Sequence, residues 1–117
     1  MLPLRSVLSA LAERPGVAGV VVVSDEGLVV EAALPPGCDG DAIAAIAPTA
    51  IRGLAALGGA VGLGPAIQVA VESDDGAYVL QRLPSGATLV LLTAGDGDLG
   101  TLLHDIRRHA PALASLT

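Results

Sequence analysis

Lysine, phenylalanine and tryptophan are absent from this sequence, and tyrosine and cysteine each occur once. Without lysine there is no P-loop, whose Lys must reach nucleotide phosphates, and no Schiff-base nucleophile. With almost no aromatic rings there is no platform for stacking bases or sugars. Cys38 alone allows neither an intramolecular disulfide nor a thiolate metal site, and reads as a free thiol in a loop. Positive charge is scarce as well: six arginines against twelve acids leave a formal charge of −6. Nothing basic is clustered enough to displace the counterions of a phosphate backbone, so nucleic acid is not an expected partner.

Catalytic motifs are missing too. Gly58, Gly59, Gly62 and Gly64 form no GxGxxG and lead from helix into strand, the reverse of a dinucleotide turn. There is no GxSxG elbow and no HExxH. His104 and His109 are five apart, which does not place them on one helix face, and they read as surface histidines. Asp96, Asp98 and Asp105 lack the glutamate that would close a calcium loop; Asp96 or Asp98 is expected to cap a helix instead. No catalytic residue, cofactor or metal is expected.

What the chain has in abundance is Ala, Gly, Leu and Val, with a mean hydropathy of +0.69. Its 117 residues suffice for one domain with a single core. The first residues carry Arg5, Glu13 and Arg14 and lack the apolar run of a signal peptide. The stretch 42–67 holds one charge, Arg52. Pro48 and Pro65 interrupt it, and Ala and Gly dominate it, so the expectation is a soluble cytoplasmic protein without membrane insertion.

Hydrophobic periodicity sets the elements. Leu4, Val7, Leu8 and Leu11 mark an amphipathic helix over about 2–14, ended by Pro15-Gly16. Val17 to Ser24 is apolar on both alternating sets, as a central strand is. Ser24-Asp25-Glu26-Gly27 turns the chain into a strand over 28–34. A long helix follows from an N-cap at Asp41 to about Ala60. Its bulky stripe is Ile43, Ile46, Ala47, Ala50, Ile51, Leu54 and Leu57, and Pro48 is expected to kink it. Its back, Ala45, Thr49, Arg52, Ala56, Gly59 and Ala60, is small and nearly uncharged, where a surface helix should be polar. Ala66 to Glu72, Ala77 to Leu83 and Ala87 to Thr93 are strands joined by tight turns, the last again doubly apolar. A final helix carries Leu99, Leu102, Leu103, Ile106 and Ala110 inward. Thr101, His104, Asp105, Arg107 and Arg108 lie on its solvent side, the last two complementing the helix C-terminus.

The order is α-β-β-α-β-β-β-α, with short turns that make the strands antiparallel. Placing the two doubly apolar strands side by side gives the sheet order 2-1-5-4-3. This α+β sandwich has the long helix on one face and the terminal helices on the other. The third strand is then an open edge. A bare helix back and a bare edge strand both call for a partner, and homodimerisation covers both.

The run PGVAGVVVVSDEGLVVEAAL, the Ala-rich helix ending in Gly-Gly, VAVESDDGAYVLQRLPSGATLVLL and DLGTLLHDIRR closely resemble the Roadblock / dynein light chain family. The likeness is nearest to short bacterial members of the MglB type, and it covers about Leu4 to Arg108. It implies a five-stranded antiparallel sheet between one long helix and two short ones, and a homodimer with paired long helices and joined third strands. Ala45, Thr49, Arg52, Ala56 and Gly59 would then lie near the helix pair, and Ile67, Gln68, Val69, Ala70, Val71 and Glu72 at the joined edge. It further implies a partner, a small Ras-like GTPase docked near the paired helices, with no active site in this chain. Pro48 and the near absence of charge on the long helix depart from the family pattern.

The expected function is that of a non-catalytic regulator which alters the GTPase nucleotide cycle allosterically. Arg52 and Arg82 are the candidate GTPase contacts, either of which would serve if an arginine were inserted in trans. A dimeric scaffold with no effect on nucleotide chemistry is the alternative. A hotdog-type enzyme fits poorly, because two strands precede the apolar helix here and helices open and close the chain.

Overall fold

The computed structural model describes residues 3–95 and 99–116. Its elements are α1 (Leu4–Ala12), β1 (Val17–Val23), β2 (Val29–Ala33), α2 (Gly40–Ala60), β3 (Gln68–Ser73), β4 (Gly76–Arg82), β5 (Thr88–Thr93) and α3 (Leu99–Leu116). The strands form one antiparallel sheet in the expected order, β2-β1-β5-β4-β3.

The valines of β1 show why it is central. Val20 and Val22 point to one face and pack with Leu8 of α1, Leu89 and Leu91 of β5, and Ile106 of α3. Val21 and Val23 point to the other and pack with Ala44, Ala47 and Ile51 of α2. All four are fully buried, each contributing about 2 kcal/mol of hydrophobic stabilisation. The terminal helices therefore share one face of the sheet and α2 takes the other.

Helix α2 begins two residues earlier than expected. Asp39, not Asp41, is its N-cap: the Asp39 carboxylate accepts from the backbone N–H groups of Asp41 and Ala42 at 3.0 and 3.2 Å. Asp41 falls in the first turn, where its charge favours the helix dipole. The helix runs unbroken through Pro48, which is buried. Proline removes the donor that would bind the Ala44 carbonyl. That carbonyl lies against the β1–β2 turn, where a Cβ on Gly27 would come within 3.3 Å of it. Gly27 also has φ +90°, so the turn and the close approach both require glycine.

The buried arc of α2 differs from the bulky stripe read from the sequence. Ala44, Ala47, Pro48 and Ile51 are buried, while Ile46 and Leu57 stand 66% and 59% exposed. Ala44 and Ala47 let the helix approach the valine layer of β1 closely, and Ile51 packs into the same cluster. By length and hydropathy α2 could cross a membrane, yet only 22% of its most apolar window is buried in the fold. Most of this apolar helix is left uncovered.

Helix α3 is longer than expected. It continues past Ala110 and through Pro111 for 18 residues in all, so it is not a short helix. Leu113 extends the buried stripe of Ile106 and Ala110 by another turn, which offsets the hydrogen bond lost at Pro111. Arg107 and Arg108 consequently lie exposed in mid-helix rather than at its C-terminus. Asp105, expected on the solvent side, is buried and bound to Arg14. The expected cap at Asp96 or Asp98 lies outside the described residues.

Candidate interaction surface

The two flanks of α2 meet different surroundings. One flank, with Ile43, Ile46, Ala50 and Leu54, borders an open groove of about 380 Å³. The floor of that groove is the sheet: Val69 and Val71 of β3, Tyr78 of β4 and Leu92 of β5. Strand alternation explains the floor, since residues two apart along β3 and β4 share a face. The groove is almost wholly apolar, and Tyr78 at its edge is 37% exposed.

The opposite flank carries Thr49 and Arg52 beside the β1–β2 turn. Nη1 of Arg52 lies 3.7 Å from Oδ1 of Asp25 in that turn. Its Nη2 donates to the Thr49 hydroxyl at 3.4 Å. Both members of the ion pair are well exposed, so the contact is weak and open to exchange.

Exposed apolar residues continue from α2 into the connection that follows it. Val61, Leu63 and Ile67 are 58%, 85% and 54% exposed. With Ile46, Leu57 and Tyr78 they are among the large apolar side chains left exposed. The end of α2 is held by Gly58, whose carbonyl accepts from Leu63 N and Gly64 N at 2.9 and 3.2 Å.

Strand β3 is one edge of the sheet, opposite β2. Val69 and Val71 turn toward the groove; Gln68, Ala70 and Glu72 turn toward the α3 side. Gln68 is anchored there, donating from Nε2 to the Gln81 side chain at 3.0 Å and to the Leu103 carbonyl of α3 at 2.9 Å. Gln81 is buried, and its own Nε2 donates to the Arg82 carbonyl at 3.1 Å and to the Ile67 carbonyl at 3.4 Å. This amide chain ties the edge strand to β4 and α3.

The structure thus separates the residues singled out from the sequence into two groups. Ile67 to Glu72 lie along the β3 edge. Ala45, Thr49, Arg52, Ala56 and Gly59 are exposed on the flank of α2 that faces away from the groove. Arg82 is half-buried at the end of β4, on the α2 side of the sheet, with its backbone N–H bound to Ile67 O at 2.8 Å. The register Val23–Thr88–Arg82 sets it at the same end of the sheet as the β1–β2 turn, and so toward Arg52. Ile46, Leu57 and Tyr78 were missed as surface residues. The signal available for the two on α2 was the breadth of its apolar arc, too wide for one sheet to cover. Among the described residues no group of three or more His, Cys, Asp or Glu is placed to hold a metal.

The fold is an open five-stranded antiparallel sheet with one long helix on one face and the two terminal helices on the other. The family model described as Roadblock/LC7 domain matches residues 4–93, and the chain belongs to that family. An uncharacterized protein of Methanocaldococcus jannaschii, MJ0310, is 27% identical over 110 residues, 94% of this chain and 96% of its own. The structure of Myxococcus xanthus MglB superimposes with a TM-score of 0.88 at 16% identity, covering 97% of this chain and 93% of that one. A structure described as MglB with tetrameric arrangement gives 0.87 at 19% identity, covering 97% and 86%.

Proposed function

We propose that this protein is a non-catalytic, homodimeric regulator in the cytoplasm that binds a small Ras-like GTPase and alters its nucleotide cycle allosterically. The observation that carries the reading is the apolar groove between α2 and the edge strand β3. A second copy, related by a two-fold axis at β3, would lay its own α2 into that groove and join the two sheets. Membership of the Roadblock family supports this, and so does the existence of a similar fold in a tetrameric arrangement. In this reading Ile46, Ala50, Leu54 and Leu57 pair the helices. The outward flank of α2, with Thr49 and Arg52, faces the GTPase together with Arg82. Arg52 is tied to Asp25 and Arg82 is half-buried on a strand, which favours an allosteric effect over an arginine inserted in trans.

The test is to load a Ras-like GTPase from the native source with GDP or a non-hydrolysable GTP analogue and measure its binding to the purified protein. Hydrolysis and exchange rates on titration follow. State-dependent binding with a changed rate supports a regulator. Binding indifferent to nucleotide, with unchanged rates, would replace it with the scaffold.

A further inference from the structure

The three ion pairs among the described residues engage Arg5, Arg14 and Arg52. Arg107 on α3 and Glu72 on β3 are exposed and take part in none of them. Their positions explain why they do not meet within one chain. Helix α3 starts beside Glu72 and Ser73, where Leu99 and Leu102 share a hollow with them. Its Leu103 carbonyl then reaches Gln68 at the opposite end of β3. The helix therefore runs against the strand, and Arg107, one turn beyond Leu103, has passed the Gln68 end. Asp105 faces Arg14 and α1 on one flank of α3. Leu103 and Arg107, four apart, share the other flank, on the side of the β3 edge.

We propose that Arg107 of one copy forms an ion pair with the partner's Glu72 across the joined β3 edges, so that charge sets the register of the dimer. The pair rests on the homodimer reading above. A two-fold axis perpendicular to the sheet keeps both α2 helices on one face, and residues that oppose each other then share the parity of their positions. With Ala70 on the axis, Gln68 of one copy lies opposite the partner's Glu72. With Val71 there, the partner's Glu72 lies opposite Ala70, one pleat away. In either register the acidic end of the partner's β3, continued by Asp74 and Asp75, runs alongside the end of this β3 that Arg107 overlooks. Neighbouring strands are about 4.8 Å apart, so the partner's β3 is the next strand beyond the edge that Arg107 overlooks. Symmetry makes the contact twice.

Sedimentation equilibrium on the full chain tests it, with folding followed by circular dichroism. Arg107→Glu and Glu72→Arg are each expected to raise the dimer dissociation constant about tenfold, through like charges at both contacts. The double reversal is expected to return it to within about threefold of wild type. Arg108→Glu, on the outer face of α3, leaves it unchanged. If the wild-type chain dimerises but single reversals have no effect, or the double variant is no better than the singles, the pair is overturned and the dimer stands. A wild-type chain that stays monomeric overturns both.

Discussion

The guanidinium of Arg14, in the turn that leaves α1, donates to the carboxylate of Asp105 on α3, across 91 residues of sequence. The two terminal helices share one face of the sheet, and this bond fixes one against the other. The side chains keep 38% and 12% of their surface exposed, so breaking the pair costs less than in a dry interior. Arg14→Leu strands a buried carboxylate and is expected to cost about 2 kcal/mol. Arg14→Leu with Asp105→Leu removes both charges and should recover about half of that. Urea unfolding of the single and double variants measures the difference.

Two glycines of α2 should respond to alanine with opposite signs. At Gly53 a Cβ meets nothing within 4 Å, and at Gly58 it would sit 1.8 Å from the Gly64 carbonyl. Gly53→Ala gains helix propensity worth about 0.5–1 kcal/mol. Gly58→Ala forces the connection after α2 away from the helix and breaks the bonds that hold Leu63 and Gly64. Thermal unfolding should show Gly53→Ala raised by a few degrees and Gly58→Ala lowered by about 5 °C or more.

The strands were legible because β1 and β5 are apolar on both alternating sets and every turn carries its own chemistry. That pattern alone gives the sheet order and the faces taken by the helices. The buried arc of α2 was not legible, since choosing it requires knowing that a valine layer lies beneath and that Ala44 and Ala47 set the close approach to it. Ile46 and Leu57 looked like core for their size. Asp105 was placed in solvent because a helical period cannot reveal a partner far along the chain. The last helix was read only as far as Ala110, and the burial of Leu113 explains why it goes on through Pro111. The candidate surface was read in parts: the β3 edge and the lack of a polar back on α2 were visible, but not which flank of α2 adjoins that edge.

Gln81 should govern how firmly β3 is held. It is buried, with both ends of its amide engaged by Gln68, Ile67 and Arg82. Gln81→Met keeps the volume but leaves the two carbonyls it serves without their side-chain donor. The expected loss is about 1–3 kcal/mol. Hydrogen exchange should quicken most in β3 and least in β1, whose valines do not depend on this amide chain.

Ile46 and Leu57 test the groove, and Arg52 tests the opposite flank. Ile46→Glu and Leu57→Glu alter exposed side chains, so the stability of the monomer should change by no more than about 0.5 kcal/mol. Their effect should fall on association instead, because a carboxylate in an apolar helix pair is desolvated without a partner. A fall of roughly a hundredfold in dimer affinity is expected, the equivalent of about 2.7 kcal/mol. Arg52→Ala should do the reverse. Its loss removes a weak surface pair with Asp25 and should leave both stability and self-association within experimental error. If Arg52 meets the GTPase, however, its loss should weaken that binding about tenfold. Light scattering for the dimer and calorimetric titration with the GTPase separate the two flanks. Should Arg52→Ala dissociate the dimer while Ile46→Glu does not, the helices pair through the small-residue flank and the groove serves another purpose.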